Sequence, residues 1–285
     1  MSPIIHHPLE VRLGPLNLTG FGLAVFLAYA ISQVICQHEL ERRGRTLEAA
    51  AIPDLILASV LGMLVGGKLY YVLLITHNWR DLLSRAGFVF WGGLIGGVVL
   101  NWLYIAYKKL PFARFADVAG IAIAAGYAVG RTGCWAVGDD YGHPWNGPLA
   151  VTFPQGSPPS TAAIMNQMFG TPIPSGATPE TVLAVHPTQL YETAMGLIMF
   201  FILYRLRGHK HAEGWLFGVY CVLAGIERFI VEFFRAKDDR FFGPLTAAQL
   251  IGLAITAVGL VVMAARRNVG PGKPGISATP QAAAI

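Results

Sequence analysis

Seven long apolar segments constrain the fold of this chain more than any other feature of its sequence. Each is close to the roughly 20 residues that an α-helix needs to cross the hydrocarbon core of a membrane. Soluble domains carry about 25% charged residues, whereas only 13% of this chain is charged. The sequence therefore predicts an all-α integral membrane protein with about seven transmembrane helices. The predicted segments are 20–38, 52–75, 88–107, 115–137, 187–205, 214–234 and 245–265.

The distribution of Lys and Arg predicts how these helices are oriented. The connections after the first, third, fifth and seventh segments carry twelve Lys and Arg residues, and those on the other side carry six. Basic residues collect on the cytoplasmic side, which places the N-terminus outside and the C-terminus in the cytoplasm. The connection 138–186 has no Lys or Arg and many Pro and Gly residues. We expect it to form a small, irregular cap on the outer face.

Composition also bounds the partners and the domain organisation. The net charge of +5 lies mainly in short connections, where the membrane orientation rule explains it without nucleic acid. The three cysteines are spread among apolar segments, so we expect no disulfide framework, no metal site and no cofactor. Residues 1–268 are predicted as one membrane domain and 269–285 as a disordered cytoplasmic tail. His6 and His7 are expected at the surface.

Charged residues inside the apolar segments are the first functional signal. A permanent cation such as Arg131 is costly within a membrane segment unless an anion faces it. Asp54, Asp117 and Lys68 lie where long or terminal side chains can reach the interface. Arg228 is less easily explained as a side chain that reaches the membrane interface. Arg228 and Glu232 are four residues apart and share one helix face, so they either neutralise each other or belong to a site.

Four stretches converge on the predicted outer ends of these helices. They are 90–97 (FWGGLIGG), 130–142 (GRTGCWAVGDDYG), 186–192 (HPTQLYE) and 227–235 (ERFIVEFFR). The glycines of the first stretch either pack helices together or let a lipid headgroup approach the backbone. These four blocks, in their order and spacing, resemble the prolipoprotein diacylglyceryl transferase family of the bacterial inner membrane. The resemblance covers nearly the whole chain, from the first segment to the seventh.

The resemblance implies an activity and its partners. The family transfers the diacylglyceryl group of phosphatidylglycerol to the lipobox cysteine of a prolipoprotein signal peptide, and membrane lipids surround the enzyme. A thioether forms and glycerol phosphate leaves. Arg131 and Arg228 match the family's two essential arginines, which suit an anionic phosphate. Glu232 and Asp139 match acidic positions that orient the arginines or bind glycerol hydroxyls. The residues expected to contact or support the substrate are Arg131, Arg228, Phe21, Trp91, Gly92, Gly93, Gly142, His186, Tyr191, Glu192 and Arg235.

Two positions depart from the family pattern and keep alternatives open. Trp91 stands where the family commonly has a histidine, proposed as the base for the incoming thiol, and Phe21 stands where tyrosine is frequent. Cys134 replaces a frequent asparagine and is interpreted as a packing residue. His186 is an alternative base, although fixing the start of the fifth segment suits it better. A non-catalytic paralogue that binds anionic lipid is the main rival, and a small-solute transporter ranks lower because the charges cluster at one end.

Overall fold

Long α-helices make up most of the structure. A computed structural model describes residues 3–13, 16–84, 87–236 and 240–268. The predicted disordered tail, 269–285, lies outside the described residues. The helices of the described ranges are α1 (Gly20–Arg42), α2 (Thr46–Ala49), α3 (Ile52–Tyr71), α4 (Phe90–Tyr107), α5 (Phe112–Val137), α6 (Ala162–Phe169), α7 (Thr188–Leu206), α8 (Trp215–Val231) and α9 (Ala247–Ala265).

Several of these helices have the length and composition of membrane spans. Within the described ranges, five stretches are long and apolar enough to cross a membrane: Gly20–Arg42, Thr46–Thr76, Phe90–Tyr107, Phe112–Val137 and Ala247–Ala265. Helices α7 and α8 coincide with the fifth and sixth predicted segments but are not among the five. The prediction of a mainly helical membrane protein is confirmed, whereas the count of seven spans stays a prediction.

Short β-strands, which the all-α prediction did not include, tie the N-terminal residues to the segment 138–186. Strand β1 (Ile4–Ile5) pairs in parallel with β4 (Val151–Thr152), and β4 pairs antiparallel with β5 (Ala184–Val185). The remaining antiparallel pairs join β2 (Glu10–Leu13) with β3 (Leu16–Thr19) and β6 (Arg240–Phe242) with β7 (Leu245–Thr246).

A small hydrophobic core organises the segment 138–186, which the sequence predicted to be irregular. Phe153 and Met165 are fully buried in it, and Tyr141 stacks on Phe153 with ring centroids 5.1 Å apart. The prediction that His6 lies at the surface is wrong. Its ring is buried against Trp135 and Phe153, at centroid distances of 4.9 Å and 4.8 Å. The cause is β1, because its pairing with β4 draws His6 over this core.

Helix α5 lies at the centre of the helical part and positions the site. It packs against α1, α7 and α8, and it is the most buried of the five candidate spans. Small residues allow close approach: a Cβ added to Gly196 of α7 would come within 3.0 Å of Ala128 on α5. Side chains near the C-terminal end of α5 can therefore meet residues from three neighbouring helices.

Helices α3 and α4 form a closely packed pair through glycines. Gly62 and Gly66 on α3 face Gly92 and Gly96 on α4, and a Cβ on any of the four would overlap backbone atoms of the other helix. Small residues spaced four apart let two membrane helices approach to backbone contact. This packing accounts for Gly92 and Gly96 of the 90–97 stretch.

Several ion pairs lie at the end of the bundle where α1 and α7 end and where α5 and α8 begin. We call this end of the bundle the basic end. The buried Glu39 carboxylate accepts hydrogen bonds from Arg42 at 2.6 Å and Arg43 at 2.7 Å, and Arg207 lies 3.7 Å away. Arg114 pairs with Glu48 and Glu213 nearby. These contacts bring together basic residues from the connections that the sequence assigned to one side.

Candidate functional site

The C-terminal end of α5 turns sharply and returns two carboxylates towards Arg131. Helix α5 ends at Gly138 in the left-handed conformation (φ 70°, ψ 50°), which glycine adopts without steric cost. Asp140 also has a positive φ of 57°, a conformation that aspartate tolerates better than most residues. The side chains of Thr188 and Gln189 hold this turn by donating hydrogen bonds to the carbonyls of Asp140 and Asp139, at 2.6 Å and 2.5 Å.

Arg131 is nearly buried beneath this turn. Its Nη1 donates a hydrogen bond to Oδ2 of Asp140 at 2.9 Å, and its Nη2 forms a close ion pair with Glu192 of α7. Nη1 also lies 3.3 Å from the sulfur of Cys134. Nε of Arg131 is buried and has no hydrogen-bond acceptor among the described residues. The guanidinium therefore has two anionic partners, and they leave one of its donors unpaired.

Arg235 connects Asp140 with Glu192 and Glu232. Its Nη2 donates to Oδ1 of Asp140 at 2.9 Å, and it lies 3.8 Å from both Glu192 and Glu232. A backbone bridge between Gly142 and Arg235 fixes the approach of these two stretches.

Arg228 lies at the edge of the same network. Its Nη2 donates to Oε2 of Glu232 at 2.6 Å, which confirms that these two residues share a helix face. Glu232 also approaches Arg235, so the charges form one continuous chain of ion pairs. We call this group the arginine cluster, which consists of Arg131, Arg228, Arg235, Asp140, Glu192 and Glu232.

The members of the cluster differ in how far they are exposed. The side chain of Arg228 is 32% exposed and that of Asp140 is 35% exposed, whereas Glu192 and Glu232 are almost completely buried. Arg131 lies deeper, with 12% of its side chain exposed. Arg228 and Asp140 are therefore the most accessible members of the cluster, and Arg131 is less accessible.

The two adjacent aspartates have opposite electrostatic environments. Burial, helped by the neighbouring Asp140 carboxylate, raises the pKa of Asp139 to about 6. Burial also acts on Asp140, but the guanidiniums of Arg235 and Arg131 outweigh it and lower the pKa of Asp140 below its ordinary value. The Asp139 carboxylate makes no hydrogen bond within the described part of the chain. Asp140 thus belongs to the ion pairs, and Asp139 is left for a ligand.

His186 lies in an aromatic group beside the cluster. Its ring stacks on Trp145 with centroids 4.3 Å apart, and its Nδ1 is 3.2 Å from the hydroxyl of Tyr191. Burial, with a smaller contribution from His143, lowers the pKa of His186 to about 4. Gly142 donates its backbone N–H to the His186 carbonyl at 2.8 Å. This packing holds the start of α7 against the turn that carries Asp140.

The remaining predicted site residues lie farther from the guanidiniums. Phe21, in the first turn of α1, is half-exposed and lies against Gly133 of α5. Trp91 is half-exposed at the start of α4, and Gly92 and Gly93 pack against α3. Among the described residues no hydrogen bond or ion pair joins these four to the arginine cluster. Their predicted contact with substrate stays a prediction.

Three residues of the site were not selected from the sequence. The family pattern indicates Asp139, whereas the structure pairs Asp140 with Arg131 and Arg235. The signal for Asp140 in the sequence is its position next to Asp139. Tyr127 and Glu227 meet at 2.9 Å inside the bundle, and the signal for Glu227 in the sequence is a carboxyl group within an apolar segment. Within the described ranges no group of three or more His, Cys, Asp or Glu side chains is placed to hold a metal ion.

Comparison with known proteins identifies the family. The sequence model described as "Prolipoprotein diacylglyceryl transferase" matches residues 8–265. A protein of Geobacter sulfurreducens named phosphatidylglycerol–prolipoprotein diacylglyceryl transferase is 31% identical over 280 residues, which cover 93% of this chain and 97% of the relative. Identically named proteins of Bordetella avium and Xanthomonas axonopodis pv. citri are 31% and 29% identical, covering 92% of this chain in both cases and 96% and 91% of the relatives. The chain therefore belongs to the prolipoprotein diacylglyceryl transferase family.

Proposed function

We propose that this protein transfers the diacylglyceryl group of phosphatidylglycerol to the lipobox cysteine thiol of prolipoproteins. The relatives carry the name of this activity. The new C–S bond forms at the glyceryl carbon whose C–O bond to phosphate breaks, and glycerol phosphate leaves. The proton released by the thiol balances the charge gained by the leaving phosphate. The substrates are therefore an anionic phospholipid and a membrane-anchored signal peptide.

The observation that carries the proposal is the convergence of three guanidiniums in a nearly buried cluster. Guanidinium groups bind phosphate in a planar, bidentate geometry and remain charged. The buried Nε of Arg131, which has no acceptor among the described residues, and the partly exposed guanidinium of Arg228 supply donors for a phosphate. Positive charge in a site of low dielectric stabilises the anion that develops on the leaving oxygen.

The acidic residues have separate proposed roles. Asp140, Glu192 and Glu232 hold the three arginines in position before substrate binds. Asp139, which lacks a hydrogen-bond partner of its own in the described structure, binds a hydroxyl of the glycerol headgroup. Gly142, His186 and Tyr191 support the turn that carries these aspartates. Phe21 and Trp91, both half-exposed, contact the acyl chains or the peptide, and Gly92 and Gly93 shape the same face.

The proposed membrane arrangement follows the charge distribution. All seven long helices, including α7 and α8, span the bacterial inner membrane as one transferase domain, residues 1–268. The basic end faces the cytoplasm, the N-terminus lies outside, and the segment 138–186 forms a periplasmic cap over the arginine cluster. The cytoplasmic tail is 269–285. Support comes from the ion pairs of the basic end, which join α1 to the end of α7 and α5 to α2.

Complementation of a strain depleted of its own transferase tests the proposal. The wild-type chain should restore growth and lipoprotein modification, and Arg131→Ala should restore neither while reaching the membrane in equal amount. Failure of the wild-type chain, with normal insertion, would contradict the proposal.

A non-catalytic paralogue that binds anionic lipid is the second candidate. Trp91 favours it, because an indole offers a hydrogen-bond donor and no proton acceptor where the family commonly has histidine. This candidate predicts binding of phosphatidylglycerol vesicles without growth of the depleted strain. The complementation experiment therefore separates the two.

A further inference from the structure

A phenol links two buried carboxyl groups deep in the helical bundle. The hydroxyl of Tyr127 on α5 lies 2.9 Å from Oε1 of Glu227 on α8 and 3.2 Å from Oε1 of Glu192 on α7. Glu192 is 2% exposed and Glu227 is 6% exposed. Glu192 also contacts Arg131. The three side chains therefore connect Glu227 to the arginine cluster.

The hydrogen bonds of Tyr127 to both carboxyl groups require that one of these groups is protonated. A tyrosine hydroxyl donates one hydrogen bond and accepts others. It can donate to one carboxylate, so a hydrogen bond with the second carboxyl requires that carboxyl to carry a proton. An ionised, unpaired oxygen at that position would be a buried acceptor facing another acceptor, which is costly in the interior. The pair Glu192 and Glu227 therefore holds one proton.

The surrounding charges place that proton on Glu227. Glu192 faces the guanidiniums of Arg131 and Arg235, which favour its ionised form. On its own helix Glu227 neighbours Arg228, whose guanidinium is directed to Glu232.

Within the described ranges, the cation that the helices packed on α8 present near Glu227 is Arg131, which is already paired with Glu192 and Asp140. Helix α7 presents Glu192 and α5 presents Tyr127 and Arg131, whereas α9 (Ala247–Ala265) contains no charged residue. The three arginines of the cluster already balance its three carboxylates, so an ionised Glu227 would have no counter-ion of its own.

We infer that Glu227 is a proton store for the transfer reaction, connected to the reacting groups through Tyr127 and Glu192. The inference rests on the proposed function. As the glyceryl C–O bond breaks, its electron pair goes to the leaving phosphate oxygen. The proton of Glu227 passes to Tyr127, and the proton of Tyr127 passes through the ionised Glu192 to that oxygen. The thiol forms the C–S bond and returns its proton by the same route, so the store ends as it began.

His186 and the three arginines of the cluster are poorly suited to this task. None of the three arginines forms a described hydrogen bond or ion pair with a histidine, the commonest general base in enzymes. His186 is a weak acceptor at neutral pH, because burial lowers its pKa to about 4. Guanidinium groups stay protonated.

Infrared spectroscopy of the purified full-length protein locates the proton without using activity. In mildly alkaline buffer the wild type should show a C=O stretching band of a protonated carboxylic acid that shifts in heavy water. Glu227→Gln should remove this band. Glu213→Gln, at the exposed basic end, is the matched control and should leave it. A band that persists in Glu227→Gln, or that is absent from the wild type, would overturn the inference.

Kinetics then test the role of the store. Glu227→Gln and Tyr127→Phe should each lower kcat about 10²-fold, with little change in the KM for phosphatidylglycerol. The double variant should lose no more than either single variant, because both interrupt one route. A wild-type kcat and pH profile in Glu227→Gln would overturn the proton store while the proposed function stands. Absence of transfer by the wild type would instead overturn the proposed function and the store's role together.

Discussion

Arg131 and Arg235 donate one hydrogen bond each to the two carboxylate oxygens of Asp140, both at 2.9 Å. One carboxylate thus holds two guanidiniums that would otherwise repel each other. The two arginines come from distant parts of the chain, the end of α5 and the residues after α8. Asp140 therefore holds the guanidiniums of Arg131 and Arg235 close together.

Replacing Asp140 with asparagine should loosen this arrangement. Asparagine tolerates the positive φ of 57°, but it removes the negative charge between two arginines. Loss of one partner in such a group costs about 1 to 3 kcal/mol, so Asp140→Asn should unfold at lower temperature and transfer more slowly. Thermal unfolding followed by tryptophan fluorescence in detergent measures the first effect. An unchanged melting temperature would show that Asp140 does not hold the arginines.

The same substitution at the neighbouring position, Asp139→Asn, should raise the melting temperature. The pKa of Asp139 is about 6 in the folded protein and ordinarily 3.8, so the folded state binds more protons between these values. Rising pH through this window therefore lowers the stability of the wild type. Asp139→Asn should melt above the wild type at neutral pH, and the difference should shrink towards about pH 4. A constant difference at all pH values would contradict the raised pKa of Asp139.

His186 should contribute to stability and leave the pH dependence of transfer unchanged. With a pKa of about 4 it stays neutral throughout the neutral range. His186→Phe keeps a ring against Trp145 and loses the contact with Tyr191, which costs about 1 kcal/mol. Tyr191→Phe removes the same contact from the other side and should behave alike. If His186→Phe alone removed a limb of the pH–rate profile, His186 would be the base.

Gly92 should matter for helix packing. A Cβ at Gly92 would overlap the Gly66 carbonyl, whereas one at Gly97 would meet its nearest atom at 3.5 Å, an ordinary contact. Overpacking costs about 1 to 3 kcal/mol, so Gly92→Ala should lower the melting temperature and the yield of inserted protein. Gly97→Ala is the control and should change stability by less than about 1 kcal/mol. Equal stability of the two variants would contradict backbone contact between α3 and α4.

Local sequence patterns were sufficient for the helices and for pairs within one helix. The apolar segments anticipated the long helices, and the spacing of Arg228 and Glu232 anticipated their hydrogen bond. The glycines at 92 and 96 left packing and lipid contact open, and the position of Gly62 and Gly66 opposite them supports packing. These features depend on neighbours three or four residues away, which a single sequence displays directly.

Contacts between residues that are far apart in the sequence could not be predicted from local patterns. Asp139 and Asp140 are adjacent and chemically identical, and only the left-handed turn at Gly138 decides which of them meets Arg131. His6 is buried because β1 pairs with β4, far along the chain. Tyr127 joined the site through carboxyl groups on two other helices.

The most direct test of the account is transfer of labelled diacylglyceryl from phosphatidylglycerol vesicles to a lipobox peptide by the purified protein and its Arg131→Lys and Arg228→Lys variants. Lysine keeps the positive charge but lacks the planar pair of donors. Arg267→Lys, exposed at the basic end, is the control. We predict transfer by the wild type and the control and a loss of at least about 10²-fold in both site variants. Wild-type rates in Arg131→Lys and Arg228→Lys would contradict the claim that these guanidiniums bind the phosphate.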